Sequence, residues 1–196
     1  MNNAIYSIQR PSNEPVMSYA PGTRERAELE KELKRLSSET AEIPLIIGGK
    51  PVKTGQTGRV VMPHDHRHVL ATYHMAGEKE THEAIEAAMH AKEAWMSISW
   101  IERASVMLKA AELLSKKYRY TIVAATMLGQ SKSVQQAEIE AAAETIDFLR
   151  FNSFFAAQIY EEQPGSGTDQ LNRVEYRPLE GFVYTISPFN FTAIAS

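Results

Sequence analysis

Four short stretches of the sequence bring chemically able side chains close together. The run QAEIEAAAETIDFLRFN carries Glu138, Glu140 and Glu144 at helical spacing. Such a series is by default a solvated acidic face, and Glu140 is read that way. Glu138 and Glu144 fall beside Ala137, Ala141 and Phe148, at the edge of the apolar stripe. A partly buried carboxylate there requires a cation. The run PHDHRH sets His64, His66 and His68 at alternate positions, which on a strand aims three imidazoles at one face, as a zinc or nickel ion could use. With no fourth ligand nearby, an exposed turn entering a strand is the better reading. GQSKS, residues 129–133, has a phosphate-loop look but lacks the first glycine and the spacing of a Walker motif, and it follows a helix, so it reads as a helix-to-helix turn. Asn190-Phe191-Thr192 fits a glycosylation sequon and is read as a chance match. The sequence holds no cysteine, which excludes disulfides, thiolate metal sites and a thiol nucleophile within these 196 residues. No GxGxxG occurs, so no dinucleotide fingerprint can be read from pattern alone.

The elements that must position these groups follow from periodicity. Pro11, Pro15 and Pro21 make residues 1–21 an extended arm that has to lie on something else to be ordered. TRERAELEKELKRLSS is a charged surface helix with Leu29, Leu33 and Leu36 on one narrow stripe. IPLIIGGKPV is a tight hairpin turning at Gly48-Gly49, and RVVMP adds a short strand, together an antiparallel flap at the domain edge. Ile85, Ala88, Met89 and Trp95 define one amphipathic helix, and Ile101, Ala104, Leu108, Ala111 and Leu114 a second. A third runs from Tyr120 and stops at Gly129. The longest, with Val134, Ala137, Ala141, Phe148, Phe155 and Ile159 facing inward, is the expected spine of the core. QPGSGTDQ is an exposed loop, NRVEYRP an alternating strand and GFVYTIS a buried strand.

Apolar residues at 43% and charged residues at 23% are those of a globular chain, and the net charge of −3 offers no basic field for nucleic acid. No apolar run reaches the roughly 20 residues of a membrane span. The opening MNNAIYSIQRPSNEP is unlike a secretory signal or an Arg-rich presequence, so a cytoplasmic setting is expected.

The closing run LEGFVYTISPFNFTAIAS resembles the aldehyde dehydrogenase superfamily, in which a strand ending in a Pro-aromatic-Asn-aromatic loop leads into a helix. NEPV, PGTRER, IEAAMHAKEAW and GQSKSVQQAEIEAAAETIDFLRFN extend the likeness over nearly the whole chain. They point to its delta-1-pyrroline-5-carboxylate (glutamate semialdehyde) dehydrogenase branch. The resemblance implies an α/β, three-layer aldehyde-dehydrogenase-like fold, of which the N-terminal helix-rich part of the NAD-binding domain and part of the oligomerisation flap are present. It divides the chain into an arm, edge hairpin and helical part at 1–170, a flap strand at 171–180, and a first buried strand with the oxyanion loop at 181–196. It implies NAD as cofactor, oxidation of L-glutamate 5-semialdehyde to glutamate in proline breakdown, and a homo-oligomer. Asn190 matches the family's oxyanion-stabilising asparagine, a role that suits a side-chain amide on a rigid loop. Ile186, Ser187, Pro188 and Phe189 would line the cofactor, Phe191 would pack on the substrate's aliphatic chain, and Glu138 would face its ammonium group.

The family's nucleophilic cysteine and general-base glutamate have no match here, so the chain is expected to be an N-terminal fragment that carries one wall of a site. A non-catalytic chain docking on an intact protomer is the alternative. Alone, the chain is expected to be partly folded, poorly soluble and inactive.

Overall fold

In a computed structural model, residues 6–194 are described, and Thr23 opens the first helix. The Thr23 side chain accepts the Arg26 N–H at 3.4 Å, which satisfies one of the free donors of the first turn. The helix, α1 (Arg24–Ser38), buries Leu29 and keeps its Arg and Glu residues outside. Its inner face packs on α4 (Arg119–Gln130), and Tyr19, Leu29, Val123, Ala124, Ala137 and Ala142 form the core between them.

Next come the strands β1 (Ala41–Ile43), β2 (Leu45–Ile47), β3 (Lys50–Val52), β4 (Thr57–Met62) and β5 (Asp65–His74). β2 and β3 form the expected hairpin. Gly48 and Gly49 take φ values of +56° and +75°, the left-handed pair that a two-residue turn needs. The second sheet differs from the antiparallel flap expected. Its order is β1-β5-β4, with β1 running parallel to β5 and Ala41 opposite Ala71. From β1 the chain passes through the β2–β3 hairpin to β4, on the far side of β5, before β5 returns between them, and a connection of that length permits the parallel pairing.

Ser99 and Glu102 cap α3 (Trp100–Leu113) reciprocally, the Ser99 amide donating to the Glu102 carboxylate at 2.8 Å. A π turn at Leu114–Tyr118 joins it to α4. α4 runs through Gly129 to Gln130, and Ser131 rather than the expected Gly129 takes the left-handed position, at φ 53°. Residues 131–133 are the helix-to-helix turn expected, and Ser133 caps α5 (Val134–Ala137). A second π turn, Glu138–Ala143, leads into α6 (Glu144–Glu161). π turns occur mostly as single bulges that re-aim side chains, often at functional sites. These two lie against Arg119 and Glu138, which meet.

The expected apolar stripes are half filled. Ala104, Ala111, Ala137 and Ala141 are buried, whereas Met89, Trp95, Phe148, Phe155 and Ile159 are exposed. α2 (Glu78–Ser97) buries no residue completely. The flap strand expected at 171–180 and the buried strand expected at GFVYTIS are not formed in this chain, where residues 162–194 are neither helix nor strand. Val183, Tyr184 and Ile186 are 72%, 77% and 77% exposed. A strand exists only where a neighbour takes its N–H and C=O groups, and no described segment lies alongside. The tail is instead tied down side-on, by Lys92 to Glu180 at 3.1 Å, by Gln163 to the Val174 backbone, and by the Tyr160 and Tyr176 rings edge to face.

Candidate functional site: an asparagine loop beside a buried ion cluster

Two constellations stand out, and the first is built around Glu138. Its carboxylate is fully buried, and Arg119, 2% exposed, is the cation it requires. The Arg119 guanidinium donates to Glu138 through Nε at 3.1 Å and through Nη2. Its Nη1 reaches Glu14 at 2.5 Å, and Nη2 also donates to the Pro15 carbonyl at 2.6 Å. Glu138 further accepts the Met17 N–H at 2.9 Å and the Tyr19 hydroxyl at 2.7 Å. Burial and the Glu138 carboxylate push the Tyr19 phenol well above its usual range, so it stays a donor. Tyr19 sits at φ 50°, an uncommon conformation for a bulky residue, and that turn directs the chain so its hydroxyl meets Glu138. Glu14 accepts from Ser115 at 2.7 Å and from Arg150 at 2.5 Å, while Asp147 takes the Glu14 amide at 2.7 Å.

The residues engaged on one side are Glu14, Pro15, Met17 and Tyr19, so this cluster is what the proline-rich arm lies on. Both Glu138 oxygens are occupied and none of the residue is accessible. The ammonium-facing role expected of Glu138 is therefore corrected: in this chain the carboxylate holds the arm. Among the three carboxylates read from the sequence, Glu140 also departs from a solvated face, because Lys132 pairs with it.

A pH dependence follows. Burial raises the Glu14 carboxyl, but bonds from Ser115, Arg150 and Arg119 together outweigh it and hold the group below the usual carboxylate range. A carboxyl depressed in the folded state contributes stability above its unfolded pKa and loses it as pH falls through the folded value. Amide exchange in residues 13–19 should therefore accelerate below about pH 4. The acid step should be blunted in Glu14→Gln, and an identical acid profile in that variant would show the arm is held otherwise.

The second constellation is the loop around Asn190. Lys132, just ahead of α5, donates from Nζ to the Asn190 carbonyl at 2.5 Å. The same ammonium pairs with Glu140 and stands 4.7 Å from the centroid of the Phe191 ring. Gln130 Nε2 reaches the Phe189 carbonyl at 3.5 Å, and the Thr126 and Thr192 hydroxyls are 2.8 Å apart. Asn190 itself is exposed, and its side-chain amide bonds to no described residue, which leaves its N–H donors free for a ligand oxygen. Phe191 is half-buried and Phe189 is 97% exposed. The structure brings Asn190 and Phe191 together over Lys132; it does not bring Glu138 to them.

Ile186, Ser187, Pro188 and Phe189 present an open edge of apolar side chains, one hydroxyl and backbone groups. That donor set fits the flat ring and the ribose of a dinucleotide. It holds no cation for a diphosphate. The three histidines hold no metal arrangement: among the described residues no group of His, Cys, Asp and Glu is placed to bind an ion, and His64 bonds the Ser131 hydroxyl at 2.7 Å.

Residues 51–196 match the model of the aldehyde dehydrogenase family. The chain belongs to that family. As an aldehyde dehydrogenase sequence it is 48% identical over 194 residues to the probable delta-1-pyrroline-5-carboxylate dehydrogenase of Schizosaccharomyces pombe, covering 98% of this chain and 35% of that protein. It is 45% identical over 188 residues to the mitochondrial delta-1-pyrroline-5-carboxylate dehydrogenase of Homo sapiens, covering 96% and 33%. The crystal structure of the Mycobacterium tuberculosis delta-pyrroline-5-carboxylate dehydrogenase bound with NAD superposes with a TM-score of 0.95 at 50% identity, covering 98% of this chain and 36% of that one. The aldehyde dehydrogenase fold expected from the sequence is thus the fold found. The chain spans about a third of the length of the curated relatives it matches. Several of those are named mitochondrial, and among the described residues no helix is long and apolar enough to cross a membrane.

The sequence pointed to Asn190 but not to Lys132 or Arg119. For Arg119 a signal existed, since a carboxylate on an apolar stripe demands a cation. The run KKYRY offered three of them, and the π turn that selects Arg119 has no sequence mark. Lys132 lay in a turn whose partners are 8 and 58 residues away.

Proposed function

We propose that the whole protein to which these residues belong oxidises L-glutamate 5-semialdehyde to L-glutamate with NAD. Aldehyde, water and NAD⁺ would give carboxylic acid, NADH and a proton. The observation that carries the reading is the identity of 48–50% to delta-1-pyrroline-5-carboxylate dehydrogenases over 98% of this chain, loop and helices included. The substrate class, the cofactor and a homo-oligomeric assembly are parts of the proposal.

Bound to the whole protein, NAD would supply the hydride acceptor. Ile186, Ser187, Pro188 and Phe189 would hold its nicotinamide end and help keep water from it. Asn190 donates its side-chain N–H to the aldehyde oxygen as a thiolate from the remainder of the protein attacks the carbon. An oxyanion so formed is stabilised by a donor already in position, which needs no reorganisation during the step. Phe191 packs on the substrate's methylene groups. Residues 1–170 are the arm, edge sheets and helical half of the NAD-binding domain, 171–180 the flap strand and 181–196 the first buried strand with its loop. The last two gain their ladders only beside the missing strands.

A second reading, a non-catalytic chain that docks on an intact protomer, is favoured by the exposed apolar side chains of Leu171, Leu179, Val183 and Tyr184 along the tail. Steady-state NADH formation separates the two. The whole protein should turn over L-glutamate 5-semialdehyde with a higher kcat/KM than propanal, and the 196-residue chain alone, lacking any cysteine, should form no NADH. A whole protein that forms none with the semialdehyde refutes the proposal.

A further inference from the structure

We propose that Lys132 is a positioning residue that pins the Asn190 loop, acting on the oxyanion donor through the loop's backbone; this rests on the reading of Asn190 just given. A donor in an oxyanion hole is useful only if it is held where the charge will develop, and a misplacement of an ångström can cost about 10²-fold in rate. Asn190 has no side-chain tie to the described residues, so its placement depends on the ties of the loop around it.

Those ties are unequal. The Gln130 contact to the Phe189 carbonyl is long at 3.5 Å, and Gln130 Oε1 is buried with no partner among the described residues, so that side chain is a weak anchor. The Thr126 hydroxyl also donates to the Ile122 carbonyl at 2.8 Å, so toward Thr192 it can act only as an acceptor. Lys132 makes a charge-assisted bond of 2.5 Å to the carbonyl of Asn190 itself and stands over the ring of the next residue. Its own place is set by Glu140 in the π turn, and the Lys132 and Glu140 side chains are only 16% and 28% exposed. The turn before α5 and the π turn after it thus form a rigid two-point mount for one ammonium, and the ammonium holds both residues that would flank the substrate.

A structural lysine and a positioning lysine predict different results. In the whole enzyme Lys132→Met should lower kcat roughly 10- to 100-fold with the Kd for NAD unchanged. Lys132→Arg, which keeps charge and ring contact, should recover most of the loss. In an Asn190→Ala background, Lys132→Met should lower kcat little further, because the group it positions is gone. Full additivity of the two losses would overturn the proposal. A wild-type enzyme inactive on the semialdehyde would fail the function instead, and the pin is then read without turnover. In this 196-residue chain Lys132→Met and Glu140→Gln should lower the backbone order parameters at 189–193 while those of α1 and α4 stay the same. Unchanged order parameters in the loop would equally overturn the proposal.

Discussion

Arg119→Met should destabilise this chain by about 3–5 kcal/mol, the scale for removing one partner of a buried ion pair and leaving a charge uncompensated. Arg119 is the hub on which Glu14 and Glu138 converge, and removing it leaves two carboxylates facing one another inside the arm contact. The loss has a ceiling, since the arm can peel away and let water reach both acids. Protease cleavage within residues 13–20 would report that escape. Urea unfolding measures the effect through the shift in midpoint. Arg119→Met combined with Glu138→Gln should recover part of the loss, because the neutral amide needs no cation and its oxygen can still accept from Met17 or Tyr19. A loss below about 1 kcal/mol for the single variant would mean that the cluster is solvated and holds nothing.

The second large effect concerns rate rather than stability. In the whole enzyme Asn190→Ala should lower kcat by roughly 10²–10³, the loss usual for a single oxyanion donor, with little change in KM. The side chain is exposed in this chain, so the substitution should leave folding alone, and unchanged unfolding in urea is the control. Asn190→Asp should be at least as damaging, because a carboxylate there repels the developing negative charge. A kcat unchanged in the alanine variant would remove Asn190 from its assigned role.

What could be read in the sequence divides along a physical line. Local features came through: the Gly48-Gly49 hairpin, the capped helices, the 131–133 turn and an arm needing a support. Each depends on residues near one another in the chain. The features that failed depend on distant or absent neighbours. GFVYTIS has the composition of a buried strand, but a ladder needs a second strand, and Val183 and Tyr184 lie in the open. Phe148 and Phe155 have the right period for a core stripe and are exposed. Glu138 shows the limit within the site. Its position on an apolar stripe correctly demanded a cation, yet whether that cation was a substrate ammonium or an arginine 19 residues earlier was decided by a π turn. The Asn190 loop was legible through its resemblance to known relatives, and its mount on Lys132 only through the structure.

The proposal that these 196 residues form one wall of a larger catalytic site is tested most directly by the mass of the native product. Trypsin should release SVQQAEIEAAAETIDFLR, which ends at Arg150, and that peptide identifies the protein in a size-resolved extract of its source cell. Relatives of which this chain covers 35% point to a polypeptide about three times heavier than 22.0 kDa, and the peptide is expected there. A peptide found only near 22.0 kDa would contradict it, since a chain of that size has no thiol to attack an aldehyde and the proposed oxyanion donor would face nothing.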